Sequence, residues 1–109
     1  MKMTAEEPVV VVYTTTPPNE SEHLAKSLLE KHLIACVNIV PVRSLYQWKG
    51  ESCDDEEHLL VMKTTKPKAE EVIAAIRTLH SYELPEAIVL PVIVGSPPYL
   101  DWVRQEVGG

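Results

Sequence analysis

The sequence predicts an α+β domain of ferredoxin-like plan, β-α-β-β-α-β, followed by a short C-terminal helix. Three observations carry this reading. Apolar residues switch between strand-like runs and helical stripes in that order along the chain. The 109 residues, 45% hydrophobic and 24% charged, suit a single domain over residues 1–109 with a real core. Proline, which lacks an amide donor and is confined to sheet edges or bulges, falls in the second strand (Pro41) and the fourth (Pro91) but not in the first or third. The first and third strands therefore belong in the middle of an antiparallel sheet, as right-handed crossovers with one strand inserted also require.

Taken in order, residues 1–8 read as a flexible polar lead-in without the apolar stretch of a secretory signal. Val9 to Thr15 is a β-branched run whose consecutive valines suit a central strand. Pro17, Pro18 and Asn19 stop it, and Asn19 with Glu22 three residues on is a variant of the capping box. Leu24, Ala25, Leu28 and Leu29 then recur at helical spacing to about His32. From Ile34 the chain turns strand-like and continues past Pro41 to Leu45, Tyr46 and Trp48, an unusually long extended segment. Lys49 and Gly50 make a turn, Glu51, Asp54, Asp55, Glu56 and Glu57 an acidic hairpin tip, and His58 to Thr65 the third strand. Pro67 suits the first position of a helix, and Ala69, Val72, Ile73, Ile76 and Leu79 mark its buried stripe up to about His80. Pro85 breaks the chain before an apolar strand from Ala87 to Val94, and Gly95, Pro97 and Pro98 lead into the last helix with Leu100, Trp102 and Val103.

A long second strand at a sheet edge leaves backbone donors and acceptors unpaired. Tyr46 and Trp48 alternate on one of its faces, and aromatics beside an open edge are typical of subunit contacts. The expectation is a homo-oligomer closed by edge pairing.

Composition excludes several partners. Ten Lys and Arg against sixteen Asp and Glu leave a net charge of −6, which repels nucleic acid and anionic lipid. No apolar run approaches the roughly 20 residues that span a bilayer. Cys36 and Cys53 form no C-x-x-C pair, so zinc-ribbon and thioredoxin-type chemistry drop out and a reducing, cytoplasmic setting fits. An RNA platform needs aromatics on both central strands, but strand one offers only Tyr13 and the chain has no Phe. The loop Thr14-Thr15-Thr16-Pro17-Pro18 lacks the glycines of a phosphate cradle. No Ser, His and Asp set or Cys and His pair has the spacing of a nucleophilic centre, so an enzyme is not expected.

The acidic segment around Cys53 and His58 is the densest set of possible ligands, but its spacing is not that of an EF-hand; it reads as a solvated tip or a loose attractor of divalent cations. Cys36 reads as a small core residue and Cys53 as the exposed thiol. His23 and His32 read as surface residues of the first helix. His80 is either a C-cap imidazole favoured by the helix dipole or a ligand with Glu86 across the proline as its partner. Lys63, on a central strand, is either an ion-pair partner or a ligand contact.

Several stretches together resemble the divalent-cation tolerance proteins called CutA: Ala35-Cys36-Val37-Asn38-Ile39-Val40-Pro41, Ser44-Leu45-Tyr46-Gln47-Trp48-Lys49-Gly50-Glu51, Leu60 to Thr64, His80-Ser81-Tyr82-Glu83-Leu84-Pro85-Glu86, Leu90-Pro91-Val92 and Tyr99-Leu100-Asp101-Trp102. The resemblance runs from about Val9 to Trp102. It implies a cytoplasmic homotrimer associated with tolerance to copper and other divalent metals, with no established catalytic reaction. Copper ligation in bacterial members is ascribed to a thiol at the end of strand one and imidazoles at the end of helix two. Here these places read Tyr13 and Leu79-His80, so only His80 carries over. The resemblance further implies that Lys63, Tyr46 and Trp48 line clefts between subunits, beside His80 and Glu86. It leads to a trimer that binds Cu2+ or another divalent cation weakly, through His80, Glu86 and carboxylates. The alternatives are a trimeric small-molecule sensor resembling the PII regulators, with its clefts beside Lys63 and Trp48, and a structural scaffold.

Overall fold

Alternation at period two along Val9–Thr16 decides which side of the sheet is dry. In the computed structural model, which describes residues 7–108, Val10, Val12, Thr14 and Thr16 are all buried. This strand, β1 (Val9–Thr16), is followed by a single 3-10 turn (Pro18–Glu20), α1 (Ser21–Glu30), β2 (Cys36–Trp48), β3 (Glu51–Thr65), α2 (Lys66–Leu79), β4 (Ile88–Pro91) and α3 (Pro97–Gly108). The sheet order is β2-β3-β1-β4, with each neighbouring pair antiparallel. The prolines of β2 and β4 therefore sit at the borders, as a residue without an amide donor must.

Helices α1 and α2 bury their stripes against one face. Leu24, Ala25 and Leu28 from α1 and Val72 and Ile76 from α2 meet Val12, Leu60 and Met62 of the central strands. The opposite face is only half covered. There α3 lies against β3 and β1, its Val103 and Val107 buried, while Arg104 Nε donates to the Glu7 carbonyl at 2.7 Å. Val9 and Thr65, a register pair on that face, are buried too. Of the lead-in expected over residues 1–8, residues 1–6 lie outside the described residues; at Pro8 the carbonyl accepts the Lys66 amide at 2.9 Å.

The molecule measures 53 × 26 × 21 Å because the β2–β3 hairpin outruns the sheet. β1 pairs with β3 only as far as Thr16 opposite His58, whereas β2 stays paired to Trp48 opposite Glu51. Residues 42–48 and 51–57 thus form a two-stranded arm. Lys49 (φ 50°) and Gly50 (φ 83°) close it, the two consecutive left-handed residues of a tight turn that matches strand twist.

Four expectations need correction. The acidic residues 51–57 are not a tip but half of β3, held by cross-strand bonds such as the fork from Arg43 Nε and Nη2 to Asp54 at 3.0 and 2.8 Å. Asn19 does not cap α1: it lies in the 3-10 turn, no side-chain cap bond forms, and Glu22 pairs instead with Lys26. Helix α1 stops at Glu30 rather than His32, because His32 takes a left-handed φ of 57° and ends the helix. Strand β4 covers Ile88–Pro91, not Ala87 to Val94; its partner residues on β1 end at Val10 opposite Pro91. Beyond it Ile93 and Val94 are 90% and 85% exposed.

Leu60→Ala, at a fully buried central position, is expected to cost about 3 kcal/mol, read as a lower urea midpoint at fixed protein concentration.

A cleft where the arm leaves the body

Where β1 ends and β3 continues into the arm with β2 as its partner, the segment from α2 to β4 crosses the corner. Between them opens a cavity of about 840 Å³, whose walls include Arg43, Tyr46, Trp48, Glu57, Tyr82 and Glu86. Glu57 is buried, at 4% exposure. The Tyr82 hydroxyl donates to its Oε2 at 2.6 Å, and burial, reinforced by that bond, pushes the Tyr82 phenol above its ordinary value. Tyr46 donates its hydroxyl to Asp55, which raises that phenol as well. At the rim Lys49 Nζ sits 3.5 Å from Glu83 and 5.4 Å from the centroid of the Trp48 ring.

His80 caps α2 and ties the crossing segment to β1. Its Nε2 lies 2.7 Å from the Thr15 carbonyl, and its Nδ1 accepts the Tyr82 amide at 3.0 Å. A carbonyl can only accept and an amide only donate, so the assigned tautomer carries its proton on Nε2. Both nitrogens are thereby occupied. The ring also packs on Tyr82, centroids 4.6 Å apart, and borders a second cavity of about 310 Å³ with Glu20 and His23.

Lys63 lies elsewhere. It faces Cys36 across the register, donates to Asn38 Oδ1 and stands 3.9 Å from Cys36 Sγ. Nearby, burial pushes up the phenol of Tyr99 in α3, with Cys36 as its neighbour. Cys36 is thus a half-buried residue of this polar group rather than part of the main core, and Cys53 is half-buried as well. Of the residues singled out from sequence, the cleft brings together Tyr46, Trp48 and Glu86; His80 borders the neighbouring cavity, and Lys63 lies outside both. Sequence reasoning missed Glu57, Tyr82 and Arg43 as a set. Glu57 read as one charge in an acidic run, and nothing local signals its burial under Tyr82.

Among the described residues no group of three or more His, Cys, Asp and Glu converges closely enough to hold a metal ion.

A raised phenol keeps its proton in the folded chain where the unfolded chain, at the ordinary 10.0, has lost it. Its contribution is whole below pH 10.0 and is lost as pH climbs through the folded value. Tyr82→Phe should accordingly flatten the fall of melting temperature with pH on the alkaline side. At neutral pH it should destabilise by about 1.5 kcal/mol, since Glu57 loses its donor; thermal melts across both ranges check both effects.

Comparison with known proteins follows the same outline. A family model described as CutA1 divalent ion tolerance protein matches residues 9–106. The Thermus thermophilus divalent-cation tolerance protein CutA is 43% identical over 100 residues, 90% of this chain and 97% of that one. The chloroplastic CutA of Arabidopsis thaliana is 41% identical over 99 residues, 89% of this chain, which spans only 54% of that longer protein. The PII-like protein CutA from Nostoc superposes with a TM-score of 0.87 at 40% identity, covering 90% of this chain and 96% of that one. With the family match running from the first residue of β1 through most of α3, this chain belongs to the CutA1 divalent ion tolerance family.

Proposed function

We propose that the chain assembles as a cytoplasmic homotrimer that contributes to tolerance of copper and other divalent cations by binding them weakly and reversibly, without turnover. The observation that carries the assembly is the arm. A two-stranded ribbon is marginal in water by itself, yet this one leaves Leu45 68%, Tyr46 40% and Trp48 37% exposed. β2 is a border strand of 13 residues, and on the far border Ile88 and Val89 of β4 are exposed as well. Apolar surface on that scale marks an interface. Because β2 and β4 border opposite sides of the sheet, joining one to the other in successive copies is a head-to-tail contact, the kind that makes a ring when the rotation between copies closes.

In the ring, Tyr46, Trp48 and Lys63 line the clefts between copies. Lys63 reaches them from another copy, since it and Cys53, the register partner of Tyr46, are separated by roughly 33 Å of strand. The metal ligands are His80 and Glu86. His80 Nδ1 can bind an ion only after giving up the Tyr82 amide, and that cost is a physical reason for weak binding. Half-buried free thiols at Cys36 and Cys53 agree with a reducing compartment. The sensor alternative draws support from the size of the cleft, which lies in the range of small-molecule sites, although Glu57, Glu83 and Glu86 on its walls disfavour phosphate ligands. A thermal-shift screen with nucleotides and carboxylates tests it, because a ligand specific for the folded state raises the melting temperature.

Sedimentation should give a particle of three 12.2 kDa chains; a stable single-chain species would overturn the assembly. Calorimetric titration of copper should show heat in the wild type that is lost in His80→Ala, and equal heats would remove His80 from the site.

A further inference from the structure

Glu57 and Lys63 are each half of an ion pair that a single chain cannot make. Both lie on β3, an even number of residues apart, so they project from the same face of the sheet but stand roughly 20 Å apart along the strand. That face is the one opposite α1 and α2. On it, Val11 registers with Lys63, Tyr13 with Val61 and Thr15 with Leu59.

The carboxylate half is buried. Glu57, 4% exposed, accepts the Tyr82 hydroxyl on Oε2, and no cation of its own chain reaches it among the described residues. The nearby cations are spent elsewhere: Arg43 holds Asp54 through two hydrogen bonds, and Lys49 lies 3.5 Å from Glu83. A buried carboxylate without a cation is costly. The other acids of the inner arm are exposed and already partnered, Asp54 by Arg43 and Asp55 by the Tyr46 hydroxyl. The ammonium half is the complement. Lys63 is half-buried on a central strand, reaches Asn38 Oδ1 and Cys36 Sγ, and takes no part in the ion pairs of the described residues. An ammonium has three donors, so one remains.

We infer that in the assembly the Lys63 ammonium of one copy donates to Glu57 Oε1 of another, closing the cleft at the root of the arm with a charge from outside the chain. The pair rests on the ring proposed above. Helices α1 and α2 already seal one face of the sheet, whereas Val11, Tyr13, Leu59 and Val61 on the other are only half-buried in one chain. A closed ring turns that second face inward, where copies share it. Because the contact is head-to-tail, each copy gives an ammonium to one neighbour and receives one from the other, making three identical pairs. A buried pair of this kind selects one register of association against others, since any other leaves both charges stranded.

The test is sedimentation equilibrium over a dilution series at about 150 mM salt, reading the concentration at which half the chains are assembled. Lys63→Met and Glu57→Gln are each expected to raise that concentration roughly tenfold or more, because each strands the opposite charge. The double variant should lose no more than the worse single one, since neither charge is then left alone. Glu30→Gln, at the end of α1 away from the cleft, should change nothing. Losses that add in the double variant, or no shift in either single one, overturn the pair and leave the ring standing. A wild-type protein that sediments at single-chain mass overturns the ring and the pair with it. If circular dichroism shows Glu57→Gln to be unfolded, Lys63→Arg set against Lys63→Met carries the comparison. Arginine keeps the cation and should preserve assembly where methionine loses it; equal behaviour of the two overturns the pair.

Discussion

One strand is asked to live in two environments. β3 runs for 15 residues, with β1 on one flank and β2 on the other from His58 to Lys63 and only β2 beyond Glu57. In the first half the apolar face of Leu60 and Met62 is sealed by both helices, so burial holds the strand. In the second half there is no third strand and no helix. The arm persists there through its tight turn, its register bonds and its side-chain links. The elongated shape, the open border of β2 and the corner cleft all follow from this change of surroundings within one strand.

The corner is where that change must be managed. When β1 ends, β3 loses a neighbour, and the segment after α2 fills the place with side chains rather than with ladder bonds. His80 ties the segment to the Thr15 carbonyl near the end of β1, and Tyr82 reaches across to Glu57. These contacts are local in space but join residues far apart in sequence, so they lock the orientation of the arm once the body has folded. The same contacts occupy the imidazole, which makes His80 a structural residue in this conformation whatever else it binds.

Charge on the arm has a related logic. A border ribbon with exposed Leu45, Tyr46 and Trp48 invites uncontrolled pairing. Asp54, Asp55 and Glu56 are exposed on the returning strand, so indiscriminate stacking of arms would bring like charges together. A specific arrangement that leaves those carboxylates in water is permitted. The acidic run is thus intelligible as a filter on association as well as a set of cross-strand partners.

The sequence by itself determined the element order, the central placement of β1 and β3 and the helix stripes, because alternation, helical spacing and missing amide donors act over a few residues at a time. Even Lys49-Gly50 was legible as a turn. It also pointed to Tyr46, Trp48 and Glu86, which the fold brings to one cleft. It misread residues 51–57 as a hairpin tip, since clustered carboxylates carry no strand signal until Arg43 and Tyr46 are seen across from them, and it placed a cap at Asn19 that the 3-10 turn displaces. Only the tertiary structure decided that Glu57 is buried beneath Tyr82, that both nitrogens of His80 are engaged, and that Lys63 belongs with Asn38 and Cys36. Each depends on atoms brought together from distant parts of the chain, and burial and pairing at such points have no periodic signature to read in advance.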